Sequence, residues 1–311
     1  YLLRSSYNTV RGNVCDLGGY GIYLDHSSHN TIEDNTCSSN AYAGIGLDSS
    51  NNNTITNNTC SHRWSARGVW LYSSVNNVVS GNAFEKCGIA IDGSSLEHFT
   101  THMIEGNTAN GKPIYYYKNT SNMIVPEDAG QVITANCSNV TIKNLNISDI
   151  LVGVHLVYTN GGTVEGNIID GLSIDFSNDV NVRNNTLLGG IERALEVSTS
   201  LRYSNHITFE GNTCYGISLS SSSDNIIRGN SFLRKGVLIY GSSLEHFATQ
   251  TIENNTLNGK PIYYYRNVRG ETIPEDAGQV IIANCSNMII KNLNISGRGG
   301  IQLAYVDNSL I

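Results

Sequence analysis

The sequence predicts an all-β chain: a right-handed, single-stranded parallel β-helix of about a dozen rungs, continuous over residues 1–311. Three observations lead there. A Gly-Asn, Asp-Asn or Asn-Asn pair recurs with its second asparagine at Asn13, Asn35, Asn58, Asn82 and Asn107, then at Asn167, Asn185, Asn212, Asn230 and Asn255, spaced 18–27 residues apart within each run. An apolar residue stands three positions before nearly every one, as at Ile32, Ile55, Val79, Val164, Phe209 and Ile252. The composition is that of many turns between short strands, with 40 Asn and 31 Gly against 4 Pro, and helical periodicity is nearly absent.

Each unit supplies two or three strands. The alternating stretch Gly21-Ile22-Tyr23-Leu24 returns as Gly44-Ile45-Gly46-Leu47, Gly68-Val69-Trp70-Leu71 and Gly88-Ile89-Ala90-Ile91. One such unit has no second face to bury against. Its Ile, Val and Leu side chains therefore need the same residues one rung away, about 4.8 Å along the stack. Asparagine suits the bends, because its amide bonds both turn backbone and the like amide of the next rung. The pattern "GIYLDHSSHNTIEDNTC", repeated along most of the chain, resembles the NosD-like β-helix repeats of the carbohydrate-binding and sugar-hydrolase (CASH) type. Among these it is most similar to multi-repeat surface proteins of methanogenic archaea. The resemblance implies the β-helix fold. It implies less about function, since the family spans polysaccharide lyases and hydrolases, epimerases, a periplasmic accessory protein of copper-site assembly, and adhesins.

A larger repeat pairs residues 81–148 with 229–296 at an offset of 148, with 46 of 68 positions identical. In its "SSLEHF", Glu97 and His98 (Glu245 and His246) offer an acid–base pair, but neighbours on a strand face opposite ways. His102 becomes Gln250 at a place where other rungs carry Asn30, Asn53 and Asn77, as befits a residue that bonds a turn. "NGKPIYYY" reads as an Asn-Gly turn and a strand with Ile114 and Tyr116 inward. That leaves Tyr115 and Tyr117, with Tyr263 and Tyr265 in the second copy, outward as a contact surface for a glycan or a neighbouring surface protein.

Alternation also sends to solvent the third residue of each Gly-Ile-x-Leu stretch and the residue after it. The resulting column is Tyr23/Asp25, Gly46/Asp48, Trp70/Tyr72 and Ala90/Asp92, continuing through His155/Val157, Ser173/Asp175, Glu196/Ser198, Ser218/Ser220 and Leu238/Tyr240. Its first four rungs set aromatic faces, which pack on sugar rings, among carboxylates that accept sugar hydroxyls. The loop "SHRWSARG" adds His62, Arg63, Trp64 and Arg67. Tyr23, Trp70, Tyr72 and Arg67 are thus the expected ligand-binding residues of this face. No catalytic residue is assigned. The alternative is a polysaccharide hydrolase or lyase using Asp25, Asp48 and Asp92. Carboxylates about 5 Å apart on neighbouring rungs suit a retaining glycosidase, mutual repulsion raising one pKa, or a Ca²⁺ site. The Asp-Ser-Ser sequence is equally a turn signature.

Cys15, Cys37, Cys60 and Cys214 each sit two residues after a ladder asparagine, where Phe84 and Phe232 sit in other rungs, so they read as interior. Cys37 and Cys60 are the pair whose separation would permit a disulfide. No CxxC or Cys/His ligand spacing occurs, so no thiolate or imidazole metal site and no cofactor is expected, Ca²⁺ at the carboxylates being the one alternative. Of ten Asn-x-Ser/Thr sequons, Asn119 is the favoured glycosylation site, ladder asparagines being inaccessible.

The net charge of −7 is scattered, with no basic cluster, which argues against nucleic acid as a partner. No apolar run approaches the roughly 20 residues that span a bilayer. Both ends read as broken-off repeats, so a longer protein is expected. Together these features point to an extracellular or cell-surface β-helix with a structural or adhesive role. Glycan binding is compatible with it, as is self-assembly into a homo-oligomer, filament or layer.

Overall fold

The computed structural model describes residues 1–62, 67–189, 199–295 and 299–311. Parallel coils stack into a β-solenoid of about 13 turns with almost no helix. The coils fall into two compact units. One holds Tyr1–Ser138 with Leu145–Tyr158; the other holds Asn139–Asn144, Thr159–Gly189 and the described residues from 199 onward.

In the first unit three files of short strands run along the stack. Tyr20–Asp25, Ala43–Asp48, Arg67–Tyr72 and Ile89–Asp92 form one file, in which Leu24, Leu47, Leu71 and Ile91 lie in register. A second file aligns Val10, Ile32, Ile55, Val79 and Ile104. A third aligns Cys37, Cys60, Phe84 and Ala109. Like thus stacks on like, and the inward side chains from Ile22 to Ala109 are nearly all sealed from solvent. Cysteine and phenylalanine do exchange within one interior file, as the sequence suggests. Glycine precedes the Ile or Val of each strand of the first file (Gly21, Gly44, Gly68 and Gly88) because that file's corner is narrow. A Cβ on Gly44 would lie 2.6 Å from the Cys60 Sγ, and one on Gly68 would lie 2.4 Å from the Phe84 ring.

The asparagine ladder closes the bends. Asn58 is fully buried; its Oδ1 accepts from the backbone N–H and the Nδ2 of Asn35, both at 3.0 Å. Its own Nδ2 donates to the Ile32 carbonyl (2.8 Å), the Thr56 carbonyl (3.0 Å) and the Asn82 Oδ1 (3.0 Å). The residue before each ladder asparagine is left-handed (Asp34 φ 55°, Asn57 φ 55°, Gly81 φ 65°), a conformation that Gly, Asn and Asp tolerate best. That requirement accounts for the Gly-Asn, Asp-Asn and Asn-Asn pairs. The same geometry bears on the sequons. Asn52, Asn57, Asn184 and Asn254 precede the ladder residues and are themselves exposed, as is Asn119, so accessibility does not single Asn119 out.

The second unit repeats the scheme. Its ladder runs through Asn167, Asn185, Asn212, Asn230 and Asn255. On an outward column Glu165, Arg183, Glu210, Arg228 and Glu253 lie in register with alternating sign.

The duplicated module departs from the coil in three ways. First, "SSLEHF", expected as strand, forms single helical turns, Glu97–Thr100 and Leu244–Ala248. The His98 Nδ1 accepts the backbone N–H groups of Ser94 (3.2 Å) and Ser95 (3.4 Å), and Phe99 is buried while Glu97 stays exposed. The pair serves the turn and not a common substrate. Second, Asn110-Gly111 makes a hairpin into the strand Lys112–Lys118, which pairs in parallel with Gln131–Ala135. Third, Gln131 lends its side-chain amide as a substitute peptide. It accepts from the Ile89 N–H (2.9 Å) and donates to the carbonyls of Ile89 (2.8 Å) and Val152 (2.9 Å); Gln279 does the same between Val237 and Gly299.

All seven cysteines are free thiols, and all but Cys15 are buried; Cys37 and Cys60 face each other in register without a bond between them. Thiol titration of the native protein should therefore find one accessible group, Cys15, and seven after unfolding. Recovery of a Cys37–Cys60 disulfide peptide after digestion of alkylated protein would contradict this.

Candidate functional site

The expected column forms over the first four rungs. Tyr23, Gly46, Trp70 and Ala90 are register partners, and so are Asp25, Asp48, Tyr72 and Asp92. Gly46 leaves a gap that rings from either side fill: a Cβ there would lie 2.8 Å from Tyr20 and 2.9 Å from Tyr23. Tyr20 and Tyr23 stack at 4.4 Å, Tyr1 stacks on Tyr23 at 5.5 Å, and Tyr20 lies parallel to Trp70 at 6.2 Å. Tyr72 tilts against Trp70 at 5.4 Å, and the Arg67 guanidinium lies 5.0 Å over the Trp70 ring. The result is a continuous aromatic surface, of which Tyr72 remains 42% exposed. Arg63 and Trp64 of the loop lie outside the described residues. His62 is buried and bonded to the Asn40 carbonyl at 3.1 Å, with its pKa pushed down by that burial, so it joins a turn and not the face.

Sequence reasoning missed Tyr1, Tyr20 and Tyr42, the last tilted against Tyr20 at 5.5 Å. By strict alternation Tyr20 should share the inward side of Ile22. Gly21 faces the crowded corner instead, where a Cβ would lie 2.9 Å from the Cys37 side chain, and Tyr20 swings outward. The available signal was the glycine on the next rung, Gly46, beneath two tyrosines.

Each carboxylate receives an aromatic donor from the preceding rung. The Tyr1 hydroxyl donates to Asp25 (2.8 Å), the Tyr23 hydroxyl to Asp48 (3.2 Å) and the Trp70 Nε1–H to Asp92 (2.8 Å). Asp25 also bonds the His26 ring at 2.5 Å, and Asp48 accepts from the Ser49 hydroxyl at 2.9 Å. The His26 and Tyr1 hydrogen bonds hold Asp25 below the usual carboxylate range, whereas a general acid needs its pKa raised. Burial, then Asp48, pushes the Tyr23 hydroxyl up, so it stays a neutral donor. A calcium ion at Asp25 and Asp48 would have to displace these donors.

Elsewhere the column changes character. His155 and Val157, expected at solvent, are buried because the helical turn of the module folds over them, Phe99 meeting the His155 ring edge-on at 6.2 Å. In the second unit Asp175 is sealed and paired with Arg202 at 2.6 Å, next to Ser173. Glu196 and Ser198 lie outside the described residues. The tyrosine pairs differ from expectation in orientation. Tyr115 and Tyr117 share the side of Val132 and Thr134, which continues into the buried Val154 and Leu156. In the second copy Tyr263 and Tyr265 pack on a core that includes Val280 and Ile282. Both pairs are half-buried, and Tyr115 and Tyr263 are tied to Asp128 and Asp276 at 2.9 Å. The other side of the strand, that of Ile114, Tyr116 and Lys118, faces the helical turn: the Tyr116 hydroxyl donates to the Phe99 carbonyl, and Lys118 to that of His102.

A parallel β-helix that displays an aromatic–carboxylate strip on one file of strands is thus the class to which this protein belongs. Its sequence matches the NosD family, described as periplasmic copper-binding protein, over residues 1–123 and 100–273, and the chain belongs to that family. No curated protein sequence matches it. Similar solved structures include the A-module of a mannuronan C-5 epimerase from Azotobacter vinelandii (9% identity, 98% of this chain and 91% of that one, TM-score 0.33). Another is the Streptococcus pneumoniae surface protein and adhesin PfbA (11% identity, 91% and 74%, TM-score 0.24). Likeness at this level carries no functional inference.

The residues present do not fit a copper site. Among the described residues no group of three or more His, Cys, Asp or Glu side chains converges. The Cys87, Cys137 and Cys285 thiols lie against backbone carbonyls, burial pushes the Cys87 thiol up, and Met288 is enclosed in an apolar core. Copper requires converging soft donors that can release their protons.

Proposed function

We propose that the chain is a carbohydrate-binding β-helix that works outside the cytoplasm, in a structural or adhesive role, and that the glycan lies along Tyr23, Trp70 and Tyr72. The observation that supports this is the ring surface itself, partly exposed and edged at each rung by a carboxylate. Aromatic faces take the apolar side of a pyranose, and carboxylate oxygens accept its hydroxyls. The periplasmic description of the family agrees with such a compartment. The downward shift of Asp25 favours binding over acid catalysis.

On a glycan array the protein should retain a defined set of saccharides. Trp70→Ala should weaken the best of them about tenfold or more, as loss of one stacking anchor does. Unchanged affinity in that variant, with the coil intact by circular dichroism, would remove the face from consideration. Release of reducing sugar by the wild type, lost in Asp25→Asn and Asp48→Asn, would restore the enzymatic alternative.

A further inference from the structure

Beside the aromatic surface lies a notch of about 20 Å³, lined by Arg67, Gly88, Ala90, Ile150, Leu151 and Val152. We propose that it receives the acetamido methyl of an N-acetylated hexosamine, so that the glycan held on the face is an amino-sugar polymer. The inference rests on the face being the glycan surface, and deepens that reading by naming the sugar.

Size comes first. One water occupies roughly 10–15 Å³ on such a measure, so the notch admits a single methyl-sized group and not a ring. Its chemistry narrows the choice. Ile150, Leu151 and Val152 make one side apolar. Gln131, beneath them, already directs its amide at Ile89 and Val152, so it has little left for a ligand. Arg67 is the exception: among the described residues its buried Nε–H has no hydrogen-bond partner, while its guanidinium sits 5.0 Å over the Trp70 ring. Ala90, the register partner of Trp70, is small enough to keep the notch open next to that ring. A pyranose on Trp70 would thus present a 2-acetamido group to an apolar hole with a guanidinium at its rim. The methyl fills the hole and the carbonyl oxygen accepts from Arg67. A free amine at the same carbon would meet the guanidinium with like charge. A hydroxyl would leave the hole empty.

Oligomers of β-1,4-linked N-acetylglucosamine, glucosamine and glucose of equal length, titrated calorimetrically against the whole chain, test this. The acetylated oligomer should bind at least about tenfold tighter than the other two. Ala90→Val, which fills the notch, should bring it down to the level of the glucose oligomer and leave the latter unchanged. Equal affinity of the wild type for all three overturns the notch and leaves the face standing, as does a preference that survives in Ala90→Val. Failure to bind any glycan overturns the face itself. Should Ala90→Val not fold, the wild-type comparison of acetylated with deacetylated oligomer still decides.

Discussion

Replacing Asn58 by alanine is expected to lower the unfolding free energy by about 3–5 kcal/mol, the size of effect otherwise associated with a large core cavity. The residue is fully buried, and its amide serves five hydrogen-bonding groups: the Asn35 N–H and Nδ2, the Ile32 and Thr56 carbonyls and the Asn82 Oδ1. Alanine leaves the Asn35 N–H and the Ile32 carbonyl without that partner, inside a stack into which water does not reach. Each orphaned buried group costs about 1–3 kcal/mol. Asn58→Asp should be no better, because it keeps the acceptor, loses all three donated bonds and buries a charge. Asn57→Ala is the control. That residue is exposed at φ 55°, so the change adds only left-handed strain of about 1–2 kcal/mol. Urea unfolding of the three variants measures the difference. An Asn58→Ala midpoint equal to that of Asn57→Ala would show that the ladder contributes little.

The same ladder explains why so much of the fold was legible. A solenoid writes its register in residue identity: one asparagine per coil marks the bend, and the apolar residue three places earlier marks the inward strand. The vertical order of Tyr23, Gly46, Trp70 and Ala90 followed from that period alone. What the period could not show depends on contacts between unlike residues. The helical turn at Glu97–Thr100 carries no repeat signal of its own; His98 capping the Gly93–Ser95 bend and buried Phe99 hold it. Tyr20 faces outward only because the corner beneath Gly21 has no room for a Cβ. The aromatic donors that satisfy Asp25, Asp48 and Asp92 come from the preceding rung, on a diagonal that a column-by-column reading does not draw. Likewise the orientation of Tyr115 and Tyr117 turns on which side of Gln131–Ala135 faces the core, and both sides of that strand are buried.

The duplication also supplies an acid test of the ladder. His102 occupies a ladder position, fully buried, with its Nδ1 accepting the Asn77 N–H at 3.2 Å. Protonation would set a donor against that N–H, in a site where Lys118 bonds the His102 carbonyl and His98 lies close by. Burial, aided by those neighbouring charges, pushes the imidazole down from 6.5 to about 4. In the unfolded chain it titrates near its ordinary value of about 6.5. Between these two values the unfolded state binds more protons, so stability rises with pH. The contribution is complete above pH 6.5, lost as the pH falls toward about 4, and constant below that. Its size is about 3 kcal/mol. The second module carries Gln250 in the equivalent place, where Oε1 accepts from Asn225 (3.1 Å) and Nε2 donates to the carbonyls of Ser222 (2.6 Å) and His246 (2.8 Å). His102→Gln should therefore fold with the bonds already seen in the other copy and lose this acid sensitivity. Measured at pH 7.5 and pH 4, the melting-temperature gap between variant and wild type should be small at the first and wide at the second. A gap that does not change with pH would mean that His102 titrates alike in the folded and unfolded chain, and that its burial has no bearing on acid stability.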